Sequence, residues 1–195
     1  MNAVSDITQL VLKERQGRDR GWWQQMHDSF HPDSTVTLSW FDGTGPEFTA
    51  RSKDMYDSGL RPLHRLRPPV VHVDGNRAVV ELPAAVSANF LIDGVEAQVV
   101  SHARLLYRAE DRGTGWRIQS LDSVYEQDTL APVVPGTTLV IDQDLLATFR
   151  KPYRFLAYHI TLDQRDVRDD LYADDRPDEV DALYRRLFTW LRAPR

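Results

Sequence analysis

Cysteine is absent from the 195-residue sequence, which excludes disulfides, thiolate nucleophiles, zinc ribbons and cysteine-ligated clusters together. No apolar run approaches the ~20 residues of a membrane-spanning helix, and Met1–Arg20 lacks the apolar core of a secretory signal. Lysine is scarce: 21 of the 24 basic residues are arginine. With 29 acidic residues the net charge is −5, so there is no chain-wide cationic field of the kind that holds nucleic acid. P-loop, G-x-G-x-x-G and G-x-S-x-G motifs are missing as well. His27 and His31 have the spacing of two metal ligands on a helix face, but no Glu completes an H-E-x-x-H and Pro32 interrupts the second position. These absences predict a cytoplasmic protein with no metal, no cofactor, no membrane association and no nucleic-acid partner.

What is present is ordinary globular material, 42% hydrophobic and 27% charged, long enough for one domain with an appendage. Two seams divide it. Pro132-Val133-Val134-Pro135-Gly136 punctuates the chain and predicts a domain over 1–131 followed by a helical extension over 132–195. The stretch from Asp163 to Asp181 holds nine acids against three arginines, which reads as a solvated loop leading into a helix.

Periodicity places the elements. Asp6 and Gln9 resemble a capping box ahead of a stripe of Ile7, Leu10 and Val11. Trp22, Trp23, Met26 and Phe30 continue at helical spacing, which predicts a short helix from about Gly21 to Ser29 that Pro32 ends. Val36, Leu38 and Trp40 alternate as a strand, and Gly43-Thr44-Gly45-Pro46 turns into a helix carrying Phe48, Met55 and Tyr56. A strand at 70–73 precedes three long strands, 78–90, 95–108 and 116–125, joined by Asp93-Gly94 and Gly113-Thr114-Gly115. Helices followed by an antiparallel meander make an α+β fold. In the extension, 142–150 and 153–162 read as helix. Val180, Leu183, Tyr184, Leu187, Phe188 and Leu191 form an apolar stripe after Pro177. Leu82-Pro83-Ala84-Ala85-Val86 is apolar or small on both strand faces, which predicts a cover on each side. Helices supply one cover, and a second copy of the chain is the simplest candidate for the other. Ser101 and His102 face opposite sides of the sheet. Ser101 goes with the apolar Ala103 and Leu105, and His102 with Arg104.

The run Asp19-Arg20-Gly21-Trp22-Trp23, then Phe30-His31-Pro32-Asp33-Ser34-Thr35-Val36, resembles the opening of SnoaL-like proteins of the nuclear transport factor 2 superfamily. His64 ahead of a strand, Asp74-Gly75-Asn76, Asp93-Gly94 and Gly115-Trp116-Arg117-Ile118 fit the same family's meander, over about residues 5–130. The resemblance implies a cone-shaped curved sheet wrapped by the N-terminal helices, a cavity for a small apolar ligand, and a homodimer. Its members include scytalone dehydratase, polyketide cyclases and ketosteroid isomerase relatives. The dehydratases' aspartate maps onto Asp19 and their histidine onto His64. Their tyrosine is replaced by Arg18, a cation suited to a carboxylate or enolate, and their second histidine is absent near Val86–Ser87.

An aspartate–imidazole pair in an apolar cavity suits proton abstraction beside a carbonyl or loss of water from a β-hydroxyketone. The expected catalytic residues are therefore Asp19 and His64, and the expected ligand-binding residues Trp23, Phe30, Trp40, Met55, Tyr56 and Ser101. The expected function is cofactor-independent dehydration, isomerisation or cyclisation of a small cyclic, aromatic or polyketide-like substrate. The alternatives are a non-catalytic ligand-binding or assembly module of the same superfamily and a partner resembling an oxygenase β-subunit.

Overall fold

In the computed structural model, which describes residues 2–194, helix α1 (Ala3–Arg20) is capped by Asn2, whose side chain accepts from the Val4 N–H. Asp6 therefore lies in the first turn, where a negative charge suits the helix dipole, instead of forming the expected capping box. Gly21, at φ 70°, ends the helix in the left-handed conformation, which glycine adopts without penalty. Helix α2 (Trp23–Asp28) turns back against α1 at Gly17, where a Cβ would sit 3.0–3.1 Å from Met26 and the Trp22 carbonyl. Strands β1 (Phe30–Leu38) and β2 (Phe41–Thr44) form a hairpin. Helix α3 (Gly45–Asp57) opens on a complete capping box of Thr44 and Glu47.

The remaining sheet strands are β3 (Leu63–Leu66), β4 (Val70–Asp74), β5 (Arg77–Ile92), β6 (Val95–Asp111) and β7 (Trp116–Pro132). The strand order is β2-β1-β7-β6-β5-β3. Strands of 16 or 17 residues at β5–β7 exceed the usual length and cannot stay flat, because strand twist accumulates with length. Register shifts between β6 and β7 at His102/Ala103 and Arg108/Ala109 bend the sheet further. The product is the curved, helix-wrapped α+β architecture expected from the sequence. The concave face packs Val80, Leu82, Leu105, Tyr107 and Leu121 against Ile7 and Val11 of α1 and Phe48 of α3.

The C-terminal segment wraps both faces. Helices α4 (Gln143–Ala147) and α5 (Arg154–Leu162) cover the far half of the concave side, with Ala157 among Ala103 and Tyr125, and Leu146 and Tyr158 near Ile92 and Ala97. The first turn of α5 has no local side-chain cap. Instead, Asp128 of β7 accepts from the Phe155 and Leu156 N–H groups at 2.7 and 2.8 Å. The chain then crosses the sheet edge through β8 (Tyr172–Ala173), which pairs with β7 just beyond the point where β1 leaves it. Helix α6 (Pro177–Arg192) lies on the convex face, with Val180, Leu183, Leu187 and Leu191 against Val79, Leu106 and Val124.

Part of the cover expected on the second face of β5 comes from the same chain. The second face of β5 is covered at Val79 and Glu81 by α6 of the same chain, Glu81 accepting from the Tyr184 hydroxyl at 2.6 Å. Further along the same face, Pro83 and Ala85 of the apolar run are half-buried. The acidic stretch is a loop tied down by arginines, Arg168 bridging Asp42 and Asp170 and Arg150 holding Asp175. No helix among the described residues is long and apolar enough to cross a membrane.

Candidate functional site

A cavity of about 100 Å³ lies between the end of α1, α3, the inner faces of β5–β7 and α5. Its wall is mostly apolar, with Trp40, Phe48, Met55, Val86, Leu105 and Ile160 prominent. The volume is below the ~300–1,000 Å³ of pockets that take drug-sized ligands, so the space suits a molecule of about one ring. An open groove between α3, Phe90 and the end of α5 shares Met55, Leu60, His159 and Arg165 with the cavity wall and marks its mouth.

Helix α1 builds the polar side. Ile7 and Val11 begin its buried stripe, and the next positions at helical spacing are Glu14, Arg15 and Arg18, all 0–2% exposed. Glu14 grips Arg15 through both carboxylate oxygens and lies 3.3 Å from the Tyr107 hydroxyl, which donates to it. Burial opposes the Arg15 charge, but Glu14 together with its other neighbours, Asp19 among them, holds the guanidinium above its ordinary pKa. Burial pushes the Tyr107 phenol up, so it stays a neutral donor.

Asp19, at the end of the same helix, reaches β3. It accepts from the His64 backbone N–H at 2.9 Å and from Nδ1 at 2.5 Å. Because a carboxylate occupies Nδ1, the network assigns the proton to that nitrogen and leaves Nε2 as the lone-pair side. Arg15 Nη1 faces Nε2 at 3.4 Å, longer than an ordinary hydrogen bond. Burial lowers the His64 pKa, and the Asp19 hydrogen bond opposes that while Arg15 and Arg18 reinforce it. Burial alone would raise Asp19, yet its bonds to His64 hold it below the usual carboxylate range. At neutral pH the pair is a carboxylate and a neutral imidazole.

Arg18 differs from Arg15. No carboxylate pairs with it among the described residues; its Nη2 donates to the thioether of Met55 at 3.2 Å, and Nη1 is buried with no partner. Burial, then Arg15, push its pKa down to about 10. The position where the resemblance expects a phenol thus presents a cation with an unused donor. The Tyr125 ring also lines the cavity, its hydroxyl accepting from the Ser39 N–H at 2.9 Å.

Of the residues expected from the sequence, Asp19 and His64 are in direct contact, but only His64 lines the cavity; Asp19 stands behind the imidazole. Trp40, Met55 and Ser101 line it as expected. Trp23, Phe30 and Tyr56 do not. Trp23 and Tyr56 pack edge to face at 5.6 Å away from the cavity, with Arg61 over the Tyr56 ring. Successive helical residues point ~100° apart, so Met55 faces inward and Tyr56 does not. Phe30 is core beneath Phe48. His27 is exposed beside Asp28, whereas His31 is buried on the Glu110 carbonyl. The sequence reading missed Arg15, Tyr125 and His159 as wall residues. Charged residues continuing an apolar helical stripe were the available signal for Arg15, and no local pattern marked the other two.

Residues 1–122 match the SnoaL-like domain family. An uncharacterized protein of Emericella nidulans is 31% identical over 190 residues, covering 89% of this chain and 79% of that protein. Pea pathogenicity protein 2 of Fusarium vanettenii is 31% identical over 144 residues, 72% of this chain and 62% of that protein. Among solved structures, a putative scytalone dehydratase from Novosphingobium aromaticivorans superposes with a TM-score of 0.53 at 10% identity, covering 72% of this chain and 93% of its own. A hexachlorocyclohexane dehydrochlorinase from Novosphingobium barchaimii gives 0.56 at 15% identity, covering 71% and 94%. At such identities the structures establish the fold alone. The family match and the relatives together place this chain in the SnoaL-like domain family, on the nuclear transport factor 2 fold.

Proposed function

We propose that this chain performs cofactor-independent acid–base chemistry on a small cyclic or aromatic, oxygen-bearing molecule, the reaction class being dehydration, isomerisation or cyclisation. The observation that carries the proposal is the His64 imidazole in the wall of an apolar cavity, backed by Asp19, with the unpaired Arg18 guanidinium in the same wall. His64 Nε2 takes a proton from the carbon next to a carbonyl, and the bonding electrons move onto the carbonyl oxygen. Asp19 is a positioning residue: it fixes the tautomer and stabilises the imidazolium that forms. Arg18 Nη1 supplies a fixed donor for the developing oxyanion in a mostly apolar site. When a β-hydroxyl is present, the imidazolium returns the proton to it and water leaves. Both structural neighbours carry names of elimination enzymes, which agrees with this class.

The test is deuterium incorporation. A panel of cyclic 1,3-diketones and β-hydroxyketones is incubated with the protein in D2O and followed by NMR, with binding monitored by tryptophan fluorescence. Exchange at the carbon next to the carbonyl, lost in His64→Gln, is the expected result. Ligands that bind without exchange above the His64→Gln rate would instead make the chain a ligand-binding module.

A further inference from the structure

Buried polar groups are almost always paired, yet three unpaired ones share this cavity wall: Arg18 Nη1, Ser101 Oγ and His159 Nδ1. His159 comes from α5, beyond the residues matched to the family. Its side chain is 4% exposed, and Phe90 fixes the ring with centroids 4.2 Å apart and planes tilted by 35°. Asp163 Oδ2 lies 3.8 Å from Nε2, too long for a hydrogen bond but a negative charge on that side of the ring; with the proton on Nε2, Nδ1 is an acceptor. Burial lowers the His159 pKa, so the ring is neutral. Arg18 has the opposite need, a donor without an acceptor. Ser101 serves as either.

We propose that the cavity recognises a single-ring oxygenated acid by two unlike contacts, a carboxylate or enolate oxygen on Arg18 Nη1 and a ring hydroxyl donating to His159 Nδ1. This deepens the proposed function by naming a substrate class for the same cavity, and it makes His159 a specificity-determining residue supplied by the C-terminal segment. The groove at the cavity mouth reaches the same imidazole and Arg165, so the segment shapes entry as well as fit.

Calorimetric titration of the full chain with benzoate, its three monohydroxy isomers and benzyl alcohol tests this without any turnover. A hydrogen bond that pairs the otherwise unpartnered His159 Nδ1 is expected to make at least one hydroxybenzoate bind about tenfold tighter than benzoate. Benzoate should bind at least about tenfold tighter than benzyl alcohol, because Arg18 pairs with the charge. His159→Phe keeps the stack on Phe90 and removes the acceptor; it should erase the hydroxyl preference, read as the ratio of hydroxybenzoate to benzoate affinity so that any change common to all the acids cancels. His159→Asn, with an amide oxygen near the Nδ1 position, should restore part of the preference. Arg18→Met should weaken all four acids by about 10–100-fold. A wild-type protein that binds none of the acids, or shows no hydroxyl preference, overturns the proposal, as does His159→Phe retaining that preference. Since deuterium exchange is read separately, failure here leaves the acid–base reading standing, and failure of exchange leaves this one standing.

Discussion

Asp19→Asn isolates the role of the residue behind the imidazole. The Asp19 carboxylate accepts two hydrogen bonds from one neighbour, the His64 N–H and Nδ1–H. An asparagine has one acceptor and one donor end, so it cannot serve both. If its oxygen takes the backbone N–H, its NH2 faces Nδ1, and the imidazole must shift its proton to Nε2. That proton then meets the Arg15 guanidinium, which stands 3.4 Å away. If the amide is turned round, its NH2 opposes the backbone N–H instead. Either way a donor faces a donor in a site where the two side chains are only 8% and 14% exposed. An unsatisfied buried group costs about 1–3 kcal/mol, which corresponds to a fall in melting temperature of roughly 2–12 °C for a chain of this size. Asp19 is also the group that resists the lowering of the His64 pKa by burial, Arg15 and Arg18. Its loss should lower the imidazole titration further and reduce exchange by about 10²–10⁴-fold. The decisive assay is 15N-histidine NMR: wild-type His64 should carry its proton on Nδ1, and Asp19→Asn should lower the titration midpoint in either orientation and shift the tautomer where the amide oxygen takes the backbone N–H. An unchanged tautomer and midpoint in the variant would refute the reasoning about the pair.

Acidification should destabilise the fold through His64. Its native pKa lies below the ordinary 6.5, so between the two values the unfolded chain binds the extra proton and stability falls as pH drops. Chemical denaturation between about pH 7.5 and about pH 5 should show a flatter dependence in His64→Gln than in wild type. Leu187→Ala removes a buried side chain that holds α6 on the convex face and should cost about 2–5 kcal/mol, read as a lower urea midpoint. Gly17→Ala, although favourable for helix propensity, places a methyl 3.0–3.1 Å from Met26 and the Trp22 carbonyl. It should lower stability by about 1–3 kcal/mol. Asp128→Ala strips the cap from α5 and should cost about 1 kcal/mol or more, with faster amide exchange at Phe155 and Leu156 as the specific readout.

Local pattern determined most of the elements. Period-two alternation located the long strands, Asp93-Gly94 and Gly113-Thr114-Gly115 their turns, and the stripe from Val180 to Leu191 the last helix, because each of these signals is held within a few adjacent residues. The Asp19–His64 contact was legible through resemblance; nothing in the spacing of 45 residues between them brings them together. Only the tertiary structure decided which aromatic side chains are wall and which are core, since Met55 and Tyr56 differ by a helical rotation relative to neighbours the sequence does not name. It also decided what covers the second face of β5. A strand apolar on both sides demands a cover but does not specify one, and α6, roughly 100 residues further along the chain, supplies part of it, at Val79 and Glu81, within the same molecule. The same long-range folding carries His159 into a cavity built by the first helix. Sequence order bears no trace of that meeting, because it depends on β8 taking over the β7 edge where β1 ends and on α5 being capped by Asp128 from across the sheet.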